Sequence, residues 1–236
     1  MSKYGFTPKG RSSLPKELLQ FGTHLVYSEG TRTEPYYIEN IKKNIATKYK
    51  KHPNEIEIVN AIRERSYHTI ELVKYAIQDV DKRLKRGRSI DHVWVFFDKD
   101  NFEDFDKAHA LITAQNNSMT FNADGFKFNN DTGVTWHSCW SNQCFELWLC
   151  LYFNYYNVPH DRKDYKHNLE KSTPLKKIKF EYEKNLKDIH DIIIQNGGSI
   201  SRAIENAKKL EIENNIGDPS TGVYLFAEYF EKYMAK

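Results

Sequence analysis

Three carboxylates stand out by type and spacing. Glu29 closes the apolar run Thr23-His24-Leu25-Val26-Tyr27 and is followed by Gly30. Asp98 closes a longer run, His92-Val93-Trp94-Val95-Phe96-Phe97, and Asp100 lies two residues on. In an extended chain residues i and i+2 point to the same side, so Asp98 and Asp100 can share one hard cation or flank two. Mg²⁺ is typically held by one or two carboxylates plus substrate phosphates. Two such ions about 3.5–4 Å apart can stabilise both the attacking and leaving oxygens of a phosphodiester. An Asp after a strand is also a common turn former or helix N-cap. That reading covers either Asp alone, and covers the set with Glu29-Gly30 less easily.

Several neighbours are further candidates. Gly30 permits close backbone approach, and its segment leads into a helix start, where anions bind well. Glu34 is a candidate metal ligand, although a first-turn Glu favoured by the helix dipole is the preferred reading. Lys99 is placed to meet a phosphate or to stand solvated. Glu146 sits near the start of an apolar helix, where a buried carboxylate needs a partner: a metal or a backbone amide. Ser141 and Asn142 either cap that helix or contact phosphate.

Positioning these residues takes four strand-helix alternations. Strands are expected at 23–27, 55–59, 92–97 and 133–138, and helices at 33–41, 67–86, 103–115 and 144–155, with a polar loop at 117–132. The third strand is apolar on both faces, as a central parallel strand should be. The helix at 144–155 is apolar nearly all round and should be deeply buried. The pattern predicts a Rossmann-like α/β fold, a mostly parallel four-stranded sheet with helices on both faces. If the order is 2-1-3-4, Glu29 and Asp98 meet at the carboxyl ends of neighbouring strands, where α/β sheets bind ligands. Residues 1–20 read as a loosely ordered arm, 21–157 as the α/β domain and 158–236 as a helical extension packed on it. Helices are expected there at 176–194, 199–213 and 220–234, the last with Asp218 as N-cap and Pro219 at its first position.

A 236-residue chain with 39% hydrophobic and 28% charged residues is an ordinary globular composition. Cys139, Cys144 and Cys150 give no disulfide framework and read as buried thiols. No apolar run approaches the ~18 residues of a membrane span, and a cytoplasmic location is expected. A net charge of +3 does not by itself argue for nucleic acid. Local basic runs at 48–52, 82–88 and 163–187 do so more strongly, the last following Tyr152-Phe153-Tyr155-Tyr156. There is no Walker A sequence and no G-x-G-x-x-G, and the nine His read as structural or surface residues.

Beyond the metal set, the segments Tyr27 to Tyr37, Val93 to Asp100, Ser141 to Leu149 and Asp218-Pro219-Ser220-Thr221 together resemble the RloB family. That family is similar to the Toprim superfamily of topoisomerases, primases and OLD-type nucleases. The resemblance implies a Toprim-like fold, with Glu29 as its glutamate and Asp98 and Asp100 as its Asp-x-Asp. It implies Mg²⁺ or Mn²⁺, phosphodiester chemistry on DNA or RNA, and phage defence or a restriction-associated locus, often beside a partner ATPase. Ser28, Gln143, Tyr152 and Asp218 stand where the family usually has Cys, Pro, His and Asn.

Three functions follow. In a metal-dependent nuclease, Glu29 acts as general acid/base and Asp98 and Asp100 bind the ion. In a non-catalytic subunit binding nucleic acid or an ATPase, the metal is structural and the aromatic C-terminal helices form the interface. In a phosphatase with Asp98 as nucleophile, Asn101 and Phe102 fit the motif poorly and Glu29 has no role.

Overall fold

The computed structural model describes residues 21–49, 56–59, 69–99, 104–116, 122–123, 126–127 and 132–234. The expected arm at 1–20 and the site candidate Asp100 lie outside the described residues.

The elements run β1 (His24–Ser28), α1 (Thr33–Tyr49), β2 (Ile56–Val59), α2 (Thr69–Lys85), β3 (His92–Asp98) and α3 (Phe105–Asn116). A short antiparallel pair, β4 (Asn122–Ala123) and β5 (Phe126–Lys127), interrupts the expected loop. Then come β6 (Thr135–Asn142), α4 (Glu146–Leu151), α5 (Arg162–His167), a π-helical turn (Asn168–Ser172) and a 3-10 turn (Pro174–Ile178). The chain ends with α6 (Ile189–Gln195), α7 (Ile200–Asn214), β7 (Ser220–Thr221) and α8 (Val223–Glu231). The sheet order is β2-β1-β3-β6-β7, with the first four strands parallel and β7 antiparallel to β6. This order meets the condition set by the sequence reading, since β1 and β3 are neighbours. Between them the chain reverses direction across the sheet, which makes this the topological switch point.

Alternation along the strands divides the core. Val26, Trp94, Phe96 and Cys139 face one side, against α1, α4 and the C-terminal helices. Leu25, Tyr27, Val93, Val95 and Phe97 face the other, against α2 and α3. All of α4 is buried, as its apolar circumference requires. The C-terminal extension shares the first core: Phe226 of α8 packs edge-on against both Trp94 and Phe96. The three thiols are free and buried.

Two expectations for the C-terminal half need correction. The helix expected at 176–194 is only α6. The 3-10 turn ends on Lys179, whose φ of 51° turns the chain out of the helical direction, and Tyr182 is tied back by its N–H to Glu170 Oε1 at 2.8 Å. The region at 158–175 is ordered by two caps. Asp161 accepts from the N–H groups of Lys163 and Asp164, and Thr173 accepts from Leu175 N–H ahead of Pro174. Finally, Asp218-Pro219 does not start the last helix. Their peptide is cis, and Ser220-Thr221 pair with β6 as a fifth strand before α8 begins at Val223. Trp140 drives this local choice. Its indole N–H donates to Ser220 Oγ at 3.2 Å, and its carbonyl accepts from Thr221 Oγ1 and Gly222 N, each at 2.9 Å.

Gly222 lies flat on that indole. A Cβ there would overlap the Trp140 ring and sit 2.8 Å from the Ser138 carbonyl. Neither a buried ring nor a central strand can yield cheaply, so Gly222→Ala is expected to destabilise the fold by about 1–3 kcal/mol. A urea titration checks this, and an unchanged midpoint would contradict the packing described.

Candidate functional site

Glu29 and Asp98 lie where the switch point requires. Ser28 is in register with Phe96, and Glu29 N–H donates to Phe96 O at 2.9 Å. Asp98 is in register with Ser141, and Lys99 N–H donates to Ser141 O at 2.8 Å. From strand spacing and rise, the two Cα atoms are about 6 Å apart. Their side chains take different partners. Glu29 Oε2 accepts from Thr69 Oγ1 at 3.2 Å, at the first residue of α2. Asp98 lies on the face of Trp94 and Phe96, where its Oδ2 accepts from Arg162 Nη2 at 2.9 Å. Among the described residues, no group of three or more His, Cys, Asp and Glu side chains is arranged to hold a metal ion.

Two further carboxylates stand behind this edge. Glu146, in the first turn of α4, is buried. Its Oε1 accepts from Tyr182 OH at 3.1 Å, and its Oε2 lies 3.8 Å from Arg162 Nε. The partner that its burial demands is therefore a phenol and a guanidinium, not a backbone amide. Glu34, in the first turn of α1, is 7% exposed, and its carboxyl lies on Gly30, filling the space a Cβ would take. Burial pushes its pKa up to about 7. Its own backbone N–H opposes this, the charge of Glu146 adds to it, Lys184 offsets it, and Glu29 adds again. Its place in the first turn agrees with the dipole reading, and its burial exceeds what that reading needs.

The remaining candidates fall as follows. Ser28 Oγ donates to Gly30 O at 2.8 Å and braces the turn. Lys99 Nζ lies 4.8 Å from the Phe105 ring centre. Ser141 and Asn142 do not cap α4, because β6 runs through both and Phe145 occupies the cap position without a side-chain bond. Both are buried. Ser141 Oγ meets Thr221 Oγ1 at 3.2 Å, and Asn142 Nδ2 donates to Ile216 O at 3.3 Å. Arg162, Tyr182, Lys184 and Thr69 were not singled out by sequence. Arg162 is one of many basic residues in its segment, and only folding separates it from them.

Glu34 offers a direct test. Its folded pKa of about 7 lies above its ordinary 4.5, so the folded chain keeps a proton that the unfolded chain releases. Stability from this group is full below about pH 4.5 and is lost as pH rises through 7. Glu34→Gln removes that loss. With chelator present, the variant should gain about 2–3 kcal/mol on wild type between pH 4.5 and 7.5, somewhat below the full linkage value because the unfolded carboxyl is already half titrated at pH 4.5. Parallel urea curves at each pH give the difference, and a constant difference would show that Glu34 is not buried as described.

The family model for RloB-like proteins matches residues 24–229, from β1 through nearly all of α8. The chain belongs to the RloB-like family. No curated protein and no solved structure matches it. The RloB-like match spans all four segments that carried the resemblance. Two of the positions noted in the sequence resemblance touch each other: Gln143 Nε2 donates to Asp218 Oδ2 at 3.4 Å. A third, Tyr152, shares a 2.8 Å hydrogen bond with Tyr37 inside the core. None of the three is a carboxylate of the candidate site.

Proposed function

We propose that this RloB-like chain is a metal-dependent phosphodiester hydrolase of the Toprim type, acting on DNA or RNA. The observation that carries the reading is the placement of Glu29 and Asp98 at the carboxyl ends of adjacent central strands, at the switch point.

The donor chemistry fits a hard divalent cation. Glu29, Glu34, Asp98 and Glu146 supply only carboxylate oxygens, the ligands Mg²⁺ and Mn²⁺ prefer. Crowded negative charge also raises the Glu34 pKa, a repulsion that a cation relieves. Asp98, Asp100 and Glu29 would hold the ion, with Glu34 and Glu146 behind them. When bound, Mg²⁺ or Mn²⁺ supplies Lewis-acid polarisation of a phosphoryl oxygen. The chain supplies the rest. Arg162 brings a permanent positive charge to the same edge, suited to a phosphate whose charge grows in the transition state. Glu29, only partly buried, takes the proton of the attacking water. Gly30 and Lys99 line the approach.

The non-catalytic reading loses its main support, since the aromatic residues Tyr165, Tyr182, Phe226 and Phe230 are in the core and do not form an outer face. The test is cleavage of labelled DNA and RNA with Mg²⁺ or Mn²⁺. Cleavage that needs the metal and disappears in Asp98→Ala supports the proposal. No cleavage, or cleavage indifferent to Asp98, defeats it.

A further inference from the structure

Residues 162–187 leave the candidate site and return to it. Arg162 opens the segment on Asp98. Near its other end, Tyr182 donates to Glu146 and meets Thr33, and Lys184 acts electrostatically on Glu34. Between these anchors α5, the π turn and the 3-10 turn pack inward through Tyr165, Leu169, Leu175 and Phe180. Six of the eleven exposed positions from 163 to 179 are lysine, and one, Asp164, is acidic. Lys163, Lys166, Lys171, Lys176, Lys177 and Lys179 are all exposed. Of these, Lys166 pairs with Glu170 at 3.7 Å, and the others form no ion pair among the described residues. The segment holds nine basic against four acidic residues, whereas the whole chain has a net charge of only +3. The net positive charge of the chain therefore resides in this segment, and the remainder is net acidic.

We propose that the exposed face of residues 163–179 is the surface that binds the nucleic-acid backbone and carries it to the carboxylate edge. This rests on the reading of that edge as a phosphodiester site. Lysines free of ion pairs suit phosphates, because each displaces a condensed counterion on contact. The segment's aromatic residues are buried, so they cannot stack on bases. Recognition is accordingly by phosphate and not by sequence, and a duplex is bound at least as well as a single strand.

The experiment measures binding of labelled mixed-sequence duplex and single-stranded DNA to the full chain by fluorescence anisotropy. Chelator is present, so that binding is read without chemistry. The test variant is Lys171→Ala, Lys176→Ala, Lys177→Ala. The control, Lys82→Ala, Lys85→Ala, Arg86→Ala, removes equal charge from the last turn of α2 and the residue after it, about 25 Å along that helix from Thr69. Thermal unfolding verifies that both variants are folded. The test variant should bind roughly tenfold or more weakly near 0.1 M salt, with a salt slope smaller by about 2–3, while the control binds like wild type. Equal weakening in both variants, an unaffected test variant, or a wild-type chain that binds neither DNA form at low salt overturns the proposal. Binding that follows these lysines without cleavage in any metal would leave this surface standing and remove the nuclease reading. Asp98-dependent cleavage with binding indifferent to these lysines would do the reverse.

Discussion

Asp98→Asn should reduce metal-dependent phosphodiester cleavage by about 10²–10³-fold or more, the usual scale for removing one charge-stabilising group from an active site. The substitution is chosen to separate chemistry from folding. Asp98 accepts a hydrogen bond of 2.9 Å from Arg162, and an Asn carbonyl can accept the same bond. For that bond the loss in stability is the charge-assisted part, about 1–2 kcal/mol. Glu29→Gln should fall by a similar factor, since a general base contributes about 10²–10⁴-fold, while the amide can still accept from Thr69 Oγ1. Thr69→Ala is the graded member of the series. It removes this one hydrogen bond and leaves Glu29 in place, and a loss of about 10–100-fold is expected. Single-turnover cleavage with Mg²⁺ or Mn²⁺ gives all three. Retained activity in Asp98→Asn and Glu29→Gln would remove these carboxylates from the reaction.

What sequence could and could not disclose here follows from the range of the interactions. The parallel strands were legible because each is a short apolar run that ends at a polar turn, whereas their order was not, since several doubly wound orders cover both faces with helices. Glu29 and Asp98 were legible for the same reason, since their distinction is to end such runs. Glu146 was legible as a problem, a carboxylate in an apolar helix, but its answer was not. Tyr182 lies 36 residues away and Arg162 meets Asp98 from 64 residues away, and no local pattern marks either. Asp218-Pro219 shows the opposite failure. The dipeptide is a strong local helix start, overruled by Trp140, which holds Ser220 and Thr221 in strand form from 80 residues away. The caps at Asp161 and Thr173-Pro174 were readable signals, obscured by the surrounding Lys-rich composition.

The histidines present a related case, and they lead to the second large effect. Their spacing in sequence shows nothing, yet His24, His92 and His137 meet at the amino ends of β1, β3 and β6, beneath α8. His24 stacks on His92 with ring centres 4.9 Å apart, and His137 lies 3.7 Å from Trp94. Trp94 Nε1–H can only donate, and it reaches His24 Nδ1 at 3.2 Å. The His24 proton is therefore on Nε2, donated to Phe21 O at 2.5 Å. A second proton on Nδ1 would break the Trp94 bond. His92 Nδ1 and His137 Nε2 face each other at 3.1 Å, where one proton makes a bond and two make a clash.

Burial lowers the pKa of His24 to about 4 and of His137 to about 3, and it lowers that of His92 as well. The Phe21 carbonyl and Asp91 oppose the shift at His24, and Asp91 opposes it at His92, where Lys232 adds to it. These folded values lie below the ordinary 6.5, so the unfolded chain takes up protons first. Stability from the cluster is complete above about pH 6.5 and is lost as pH falls toward 4. For His24 alone the loss approaches ~3 kcal/mol. The three rings touch and titrate as one system, so this is the scale of the group and not a third of it. Glu34 moves stability the other way across part of this range, and the measurement therefore belongs in the Glu34→Gln background. There the urea midpoint should fall steadily from pH 7 to pH 4. His137→Phe in the same background keeps a ring on Trp94 and removes one titrating group, so the slope should shrink. A midpoint flat with pH in the Glu34→Gln chain, or a slope untouched by His137→Phe, would show that the imidazoles are not the neutral, buried set the geometry describes.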